Sequence, residues 1–390
     1  MAIPEAAAPG ESILSSWDGS PIRPTVLHVD LGAIRDNFLQ LRAFSGPAEL
    51  LPIVKADAYG HGAVPCARVL EGAGARFFGV ALTEEGIELR RAGIRSRILV
   101  LGGAYGNRYD LLVAEDLTPL VFQREHLEGL AAAARARGKA AVAHLKVDTG
   151  MGRIGIAPSE VGAFVDAARV CGVQLEGVAT HFANADLADS ELTERQIRLM
   201  EGVVQTLAAR GMRPRWIHLA NSAATVTRPE AHGTLVRPGI MLYGAYPSEA
   251  YRDKIRLRPA LRWSTRITHV KRVPVGTPIS YGSRWVAQRP SVIATLPVGY
   301  ADGYPRSFTN VGQVLVRGRR VPIAGTVCMD QCMIDVTDID EPSVGEEAVL
   351  LGPQGEDEIR ADELAAWAGT IHYEIFCGIG PRVPRIFVGA

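Results

Sequence analysis

The chain has 390 residues, 47% of them hydrophobic and 22% charged. Those are globular proportions that exclude a disordered chain, and the length suits a barrel of roughly 250 residues plus a smaller module. Forty-two basic residues balance forty-two acidic ones, so no long-range field recruits nucleic acid or an anionic membrane, although a small anionic ligand needs only a few local donors.

Residues 1–26, rich in Ala, Pro, Ser and Gly, read as an N-terminal extension. They lack the basic start and apolar core of a signal peptide, and no apolar run approaches the roughly 20 residues that span a bilayer, so a cytoplasmic protein is expected. The cysteines (Cys66, Cys171, Cys328, Cys332 and Cys377) show neither a C-x-x-C pair nor zinc spacing. They read mostly as small buried hydrophobes of a reducing compartment, and no metal site is expected.

TVLHVDL predicts a short strand and AIRDNFLQLRAF a helix, with Ile34, Phe38 and Leu41 on one face. Eight apolar runs follow: LLPIVK, FFGVAL, RILVLG, TPLVF, AVAHLKV, QLEGVATH, RWIHLA and TLVRPG. Helical stretches lie between them. TEEGIELRRAG has Thr83 placed as an N-cap and Gly93 as the stop, REHLEGLAAAARARG closes at Gly138, and LTERQIRLMEGVVQTLAARG closes at Gly211. Fully apolar strands alternating with helices mean a parallel sheet covered by helices. The fold class is therefore α/β, with a closed (β/α)8 barrel over residues 27–255. An open doubly wound sheet is the weaker alternative, because no G-x-G-x-x-G follows the first strand. From residue 256 to 390, alternating strands broken by Pro–Gly turns predict a mainly antiparallel β domain, with one late helix around ADELAAWAG.

In such a barrel the working rim lies at the C-terminal ends of the strands. The first strand ends in Lys55, the fifth in Lys146 with Arg153 just beyond, the sixth in His181, the seventh in Asn221 and Ser222, and the eighth in Arg237. Each has a bland reading as a solvated lysine, a structural ion pair or a satisfied rim histidine. Their convergence on one face outweighs it. An amine after LLPIV sits where desolvation lowers its pKa and suits it to Schiff-base chemistry. VRPGIMLYG offers backbone amides at Gly239 and Ile240, with Ser222 nearby, as a phosphate cradle. A lysine opposite a phosphate cradle suggests pyridoxal 5′-phosphate (PLP).

VKADAYGHG, LKVDTGMGRIG, ATHFANAD, HLANSAAT, VRPGIMLYG, ISYGSRW, LPVGYADGYPR and TVCMDQCMIDV follow one another in this chain. On these motifs, from about Leu27 to the C-terminus, the sequence resembles the alanine racemase family. The resemblance implies a PLP-dependent racemase that interconverts L- and D-alanine with two bases and supplies D-alanine for peptidoglycan. It implies that Lys55 holds the cofactor covalently and is one base, and that Tyr281, from a second subunit, is the other. Racemisation needs a proton to leave one face of a planar carbon and return to the other. Arg153 is implied near the cofactor's phenolic oxygen and the substrate carboxylate, oriented by a carbamylated Lys146. Arg237, hydrogen-bonded to His181, is implied at the pyridine nitrogen, and Asn221 among the cofactor contacts. Tyr59, Ser222, Gly239 and Ile240 would hold the phosphate. Met329, from the partner, would meet the substrate and Tyr300 would line the entrance, so an obligate homodimer is expected.

One departure stands out. Many relatives carry a tyrosine just before RVPR where this chain has Pro381, which predicts a looser pocket and readier acceptance of serine. The rivals are a broader small-amino-acid racemase, a PLP-dependent amino acid decarboxylase, which normally sets a carboxylate where Arg237 stands, and a non-catalytic PLP-binding protein, which needs no Tyr281.

Overall fold

The computed structural model describes residues 22–187 and 190–389. The expected extension over residues 1–26 thus lies outside the described residues, apart from its last few. The chain packs as two units: 28–262 with 360–380 and the segment from 387 onward, and the stretch up to Leu27 with 263–359 and 381–386.

The first unit is the barrel. Its strands are β1 (Glu49–Leu50), β2 (Phe77–Val80), β3 (Arg97–Val100), β4 (Leu117–Val121), β5 (Ala141–Lys146), β6 (Val173–Ala179), β7 (Trp216–His218) and β8 (Leu235–Val236). Strands β2 to β7 pair in parallel and in chain order, and β1 pairs in parallel with β8. Two links close the ring. Ile53 bridges Gly79 of β2, and the amides of Thr234 and Arg237 donate, each at 2.9 Å, to the carbonyls of Ile217 in β7 and of Ala220 just beyond it. All four residues of β2 are buried, as expected for strands covered on one face by helices and filling the ring on the other.

The helices end largely as the sequence predicts. Helix Leu31–Phe44 starts at Asp30, whose carboxylate accepts the Ala33 amide at 2.8 Å. Helices Arg124–Ala136 and Glu191–Ala209 close ahead of Gly138 and Gly211, both at positive φ. Helix Thr83–Arg91 differs at its start. Thr83 is the first helical residue, and the Glu85 carboxylate instead accepts the amides of Ala81 and Leu82 at 2.7 and 3.0 Å. A longer acidic side chain reaches back over the turn and takes the capping role.

The second unit is mainly antiparallel. Strands β9 (Leu261–Arg266), β14 (Gln313–Val316), β15 (Arg319–Pro322), β17 (Glu347–Gln354) and β18 (Asp357–Ile359) belong to one seven-stranded sheet, in which they are ordered β15-β14-β17-β9 with β18 folded back on β17. Strands β10 (His269–Val273), β13 (Ser291–Leu296) and β16 (Cys332–Asp335) form another, and β11 (Pro278–Ile279) pairs with β12 (Trp285–Val286). Val273, Ile279, Ala287, Ile293 and Ala324 make a buried cluster under that hairpin, with Trp285 and Met333 packed against it. Helices Ala361–Ala368 and His372–Gly378 follow β18 in sequence yet pack in the barrel unit. No helix among the described residues is long and apolar enough to cross a membrane.

Candidate active site

A cavity of about 790 Å³ opens in the barrel unit, and every residue lining it belongs to that unit. It brings together Lys55, Tyr59, Lys146, Arg153, His181, Asn221, Ser222, Arg237, Gly239 and Ile240. Its size lies in the range of small-molecule sites.

Lys55 enters through unusual backbone. Ala56, Asp57, Ala58 and Tyr59 all sit near φ 52–54, a left-handed turn built without glycine. Each such residue costs about 1–2 kcal/mol, so the turn must be held from outside. The Glu85 carboxylate accepts the Ala56 amide at 2.6 Å, and the Asp57 carboxylate accepts that of Ala63 at 2.7 Å. The turn carries both Lys55 and Tyr59 to the cavity. Burial, and then the charge of Arg153, pull the Lys55 ammonium below its ordinary pKa, with Glu85 opposing. A lysine so placed is the nucleophilic amine that imine chemistry requires.

Lys146 ends β5 and is only 4% exposed. Its Nζ donates to the Val147 carbonyl at 3.3 Å. Burial, followed by the charge of Arg237, pushes its pKa down to about 7, so a large share of this amine is neutral at physiological pH. The following loop is gathered by Asp148, whose carboxylate accepts the amides of Gly150, Met151 and Gly152 at 2.9, 2.9 and 3.1 Å. That clasp presents Arg153, itself exposed, at the cavity wall.

Arg237 is the most constrained cation. Its Nη1 donates to the His218 carbonyl at 2.7 Å and meets His218 Nδ1 at 3.0 Å. Its Nη2 donates to the carbonyls of Thr180 and Leu219 at 2.7 and 3.0 Å and meets His181 Nδ1 at 3.1 Å. Burial lowers its pKa to about 10, which leaves it cationic. Burial first, and then the Arg237 charge, hold His181 and His218 well below the usual imidazole range; both rings are therefore neutral acceptors.

Another part of the wall is an amide-and-hydroxyl cradle. Ser222 Oγ accepts the Gly239 amide at 2.7 Å. A Cβ at Gly239 would fall 2.6 Å from Tyr59 Oη, so glycine is what lets the phenol approach. Burial pushes the Tyr59 phenol up, so it remains a donor. Asn221 spends its side-chain oxygen on the Ala224 amide, at 3.1 Å, capping the short helix Ser222–Thr227. These groups fit PLP: a desolvated amine, an anion cradle and a fixed cation whose hydrogen bonds, among the described residues, reach no carboxylate.

Three further residues named from the sequence lie in the β unit. Tyr281 is 72% exposed, Met329 52% and Tyr300 42%. They share one support. Ser280, at φ 66 and ψ 179, donates through Oγ to the Thr326 carbonyl at 2.6 Å and lies 3.4 Å from Cys328 Sγ. Thr326 Oγ1 donates to the Tyr281 carbonyl at 2.8 Å, and the amides of Tyr300 and Ala301 donate to the carbonyls of Cys328 and Met329, both at 3.0 Å. A non-glycine residue in the Ser280 conformation costs about 1–3 kcal/mol, which this bracing offsets.

The chain matches the family model "Alanine racemase, N-terminal domain" over residues 29–247 and "Alanine racemase, C-terminal domain" over residues 260–387. It belongs to the alanine racemase family. The alanine racemase of Halothermothrix orenii is 47% identical over 365 residues, covering 93% of this chain and 96% of the relative. That of Geobacter sulfurreducens is 46% identical over 372 residues, covering 94% and 97%. Among solved structures, the alanine racemase of D-cycloserine-producing Streptomyces lavendulae matches with a TM-score of 0.91 at 40% identity, covering 95% of this chain and 98% of that one. The Bacillus anthracis alanine racemase, solved with bound L-Ala-P, matches at 0.89 and 38%, covering 95% and 97%.

Several lining residues escaped the sequence reading of this family member. Tyr373 and Cys377 reach the cavity from helix His372–Gly378. The tilted ring of Tyr373 lies 6.0 Å from that of Tyr59, and Cys377 is an exposed thiol at the wall, unlike the buried Cys66 and Cys332. His218 was hidden in the apolar run RWIHLA. Its place one strand end before Asn221 was the available signal.

Proposed function

We infer that this chain interconverts L- and D-alanine with PLP, using Lys55 and Tyr281 as its two bases. The observation that carries the reading is the desolvated Lys55 amine sharing one cavity with the caged Arg237 cation and the Ser222–Gly239 cradle.

Lys55 would hold PLP covalently, Tyr59, Ser222, Gly239 and Ile240 its phosphate, and Arg237 its ring nitrogen, with His181 and Asn221 beside it. When bound, the cofactor withdraws the electron pair that the departing proton leaves on the substrate Cα. Arg153 would pair with the substrate carboxylate and orient it. Lys55 Nζ takes or returns the Cα proton on one face, and Tyr281 Oη does so on the other. Arg237 holds its proton too tightly to surrender it, so the ring nitrogen stays neutral and side reactions that need a long-lived carbanion are disfavoured. Lys146, about half neutral near pH 7, is fitted to take up carbon dioxide as a carbamate, releasing one proton, and so to anchor Arg153.

The exposure of Tyr281, Met329 and Tyr300 on three mutually braced segments supports their donation to a second copy, and hence an obligate homodimer with shared sites. The same reading makes D-alanine for peptidoglycan the product and the cytoplasm the place of action, where unpaired thiols persist. Arg237 stands where a decarboxylase would need a carboxylate, which disfavours that rival.

The test is direct. With PLP, a pure enantiomer of alanine should lose its optical rotation without releasing carbon dioxide, and the visible band at roughly 420 nm that lysine-bound PLP shows should vanish in Lys55→Ala. A colourless protein that leaves L-alanine unchanged would end the proposal.

A further inference from the structure

Beneath Arg237 the barrel interior carries two more imidazoles that the chemistry above does not use. His218 Nε2 lies 2.9 Å from His144 Nδ1, and His144 Nε2 lies 3.3 Å from the Glu176 carboxylate. Glu176 is in turn ion-paired with Arg97. His144 and His218 are 1% and 0% exposed. Arg97 opens β3 at the N-terminal mouth, the end of the barrel opposite the rim, and its side chain is 41% exposed. Space for the chain is built in: a Cβ at Gly177 would fall 2.4 Å from His144 Nδ1, so glycine beside Glu176 is what admits the ring.

The two ends dictate the direction of every bond between them. An arginine can only donate and a carboxylate can only accept. His144 must therefore present Nε2–H to Glu176, which leaves Nδ1 bare to accept from His218 Nε2–H. That in turn leaves His218 Nδ1 bare to accept from Arg237. Both rings are neutral in this arrangement, as their burial favours.

We propose that His218, His144 and Glu176 form a one-directional hydrogen-bond relay through the barrel core, in which Glu176, at the far mouth, is a positioning residue that fixes the guanidinium of Arg237. The role rests on the reading that Arg237 faces the cofactor ring. Arg237 has no carboxylate of its own, so the relay supplies its link to negative charge, and the tautomers it enforces keep a lone pair aimed at Nη1. A buried polar chain of this kind is rigid only when every member is satisfied. Loss of the terminal acceptor frees both rings to change tautomer and takes from Arg237 the lone pair at Nη1, leaving it held by the carbonyls of His218, Thr180 and Leu219 and by His181 alone.

The test is nitrogen-15 NMR of the imidazoles in the full-length protein, with PLP affinity measured in parallel. In the natural sequence His144 and His218 should both carry their proton on Nε2 and leave Nδ1 bare. A proton on Nδ1 of either ring overturns the proposal, whether or not the protein binds PLP; failure to bind PLP at all would instead sink the cofactor reading. Glu176→Leu should scramble the tautomers and weaken PLP binding about tenfold, in line with losing a charge-assisted hydrogen bond. Glu176→Gln, which keeps an acceptor oxygen, should restore both. Unchanged tautomers and affinity in the leucine variant overturn the relay. Should that variant fail to fold, Gly177→Ala, which displaces His144, carries the same test.

Discussion

Gly239 and Tyr59 meet where a single methyl group would not fit: a Cβ at position 239 would stand 2.6 Å from the Tyr59 phenol oxygen. The Tyr59 ring cannot simply retreat. It is packed on Tyr243 with centroids 5.0 Å apart, and Tyr243 is anchored by donating to the Ile53 carbonyl at 2.7 Å. Gly239→Ala should therefore cost about 1–3 kcal/mol of cofactor affinity through forced displacement, seen as a weaker PLP titration with near-native circular dichroism. PLP affinity equal to that of the natural sequence would argue against this cradle holding the phosphate.

Lys146 gives a pH signature. Its folded pKa of about 7 lies below the ordinary lysine value of 10.5, so between those limits the unfolded chain binds more protons than the folded one. Stability from this group should rise as pH climbs from about 7 towards 10 and level off above that. Chemical denaturation across that window should show the rise in the natural protein and lose it in Lys146→Met. With carbon-13 bicarbonate, a carbamate resonance should appear at Lys146, vanish in the same variant and weaken below about pH 7 as the amine protonates.

Tyr281 acting in the site of a second copy predicts complementation. Tyr281→Phe alone should slow turnover by roughly a hundredfold or more, the scale of a lost general base, and Lys55→Ala alone should abolish it. Unfolding and refolding the two inactive chains together should form mixed dimers with one intact site. Activity should then recover to about a quarter of normal, given random pairing of two kinds of chain. No recovery would show that both bases come from the same copy.

The family resemblance makes Pro381, which is not among the residues lining the cavity, the expected determinant of substrate breadth. With no hydroxyl and a small ring where the resemblance implies tyrosine, the chain should turn over L-serine at a rate measurable beside L-alanine. Pro381→Tyr should sharpen the preference for alanine severalfold in kcat/KM. Strict alanine specificity in the unaltered protein would remove this position as the determinant.

Much of the site was legible because strand ends in a parallel barrel converge by topology. Lys55, Lys146, His181, Asn221 and Arg237 each follow an apolar run, and closing the ring brings them to one cavity. Local chemistry also spoke for Gly138 and Gly211, where a helix needs a residue at positive φ to stop.

Other features depend on contacts between segments far apart in the chain, which no local pattern carries. Glu85 reads as an ordinary first-turn acid, yet it also holds the amide of Ala56 and so secures the left-handed turn behind Lys55. Tyr373 and Cys377 stand after β18 of the second unit in sequence and line the barrel's cavity in space. His144 lies two residues before Lys146, and its meaning arises only when β6 and β7 bring Glu176 and His218 beside it. Periodicity records which side chains are apolar. Which polar atoms meet inside the ring is decided by strand register, because a hydrogen bond depends on distances of a few tenths of an ångström.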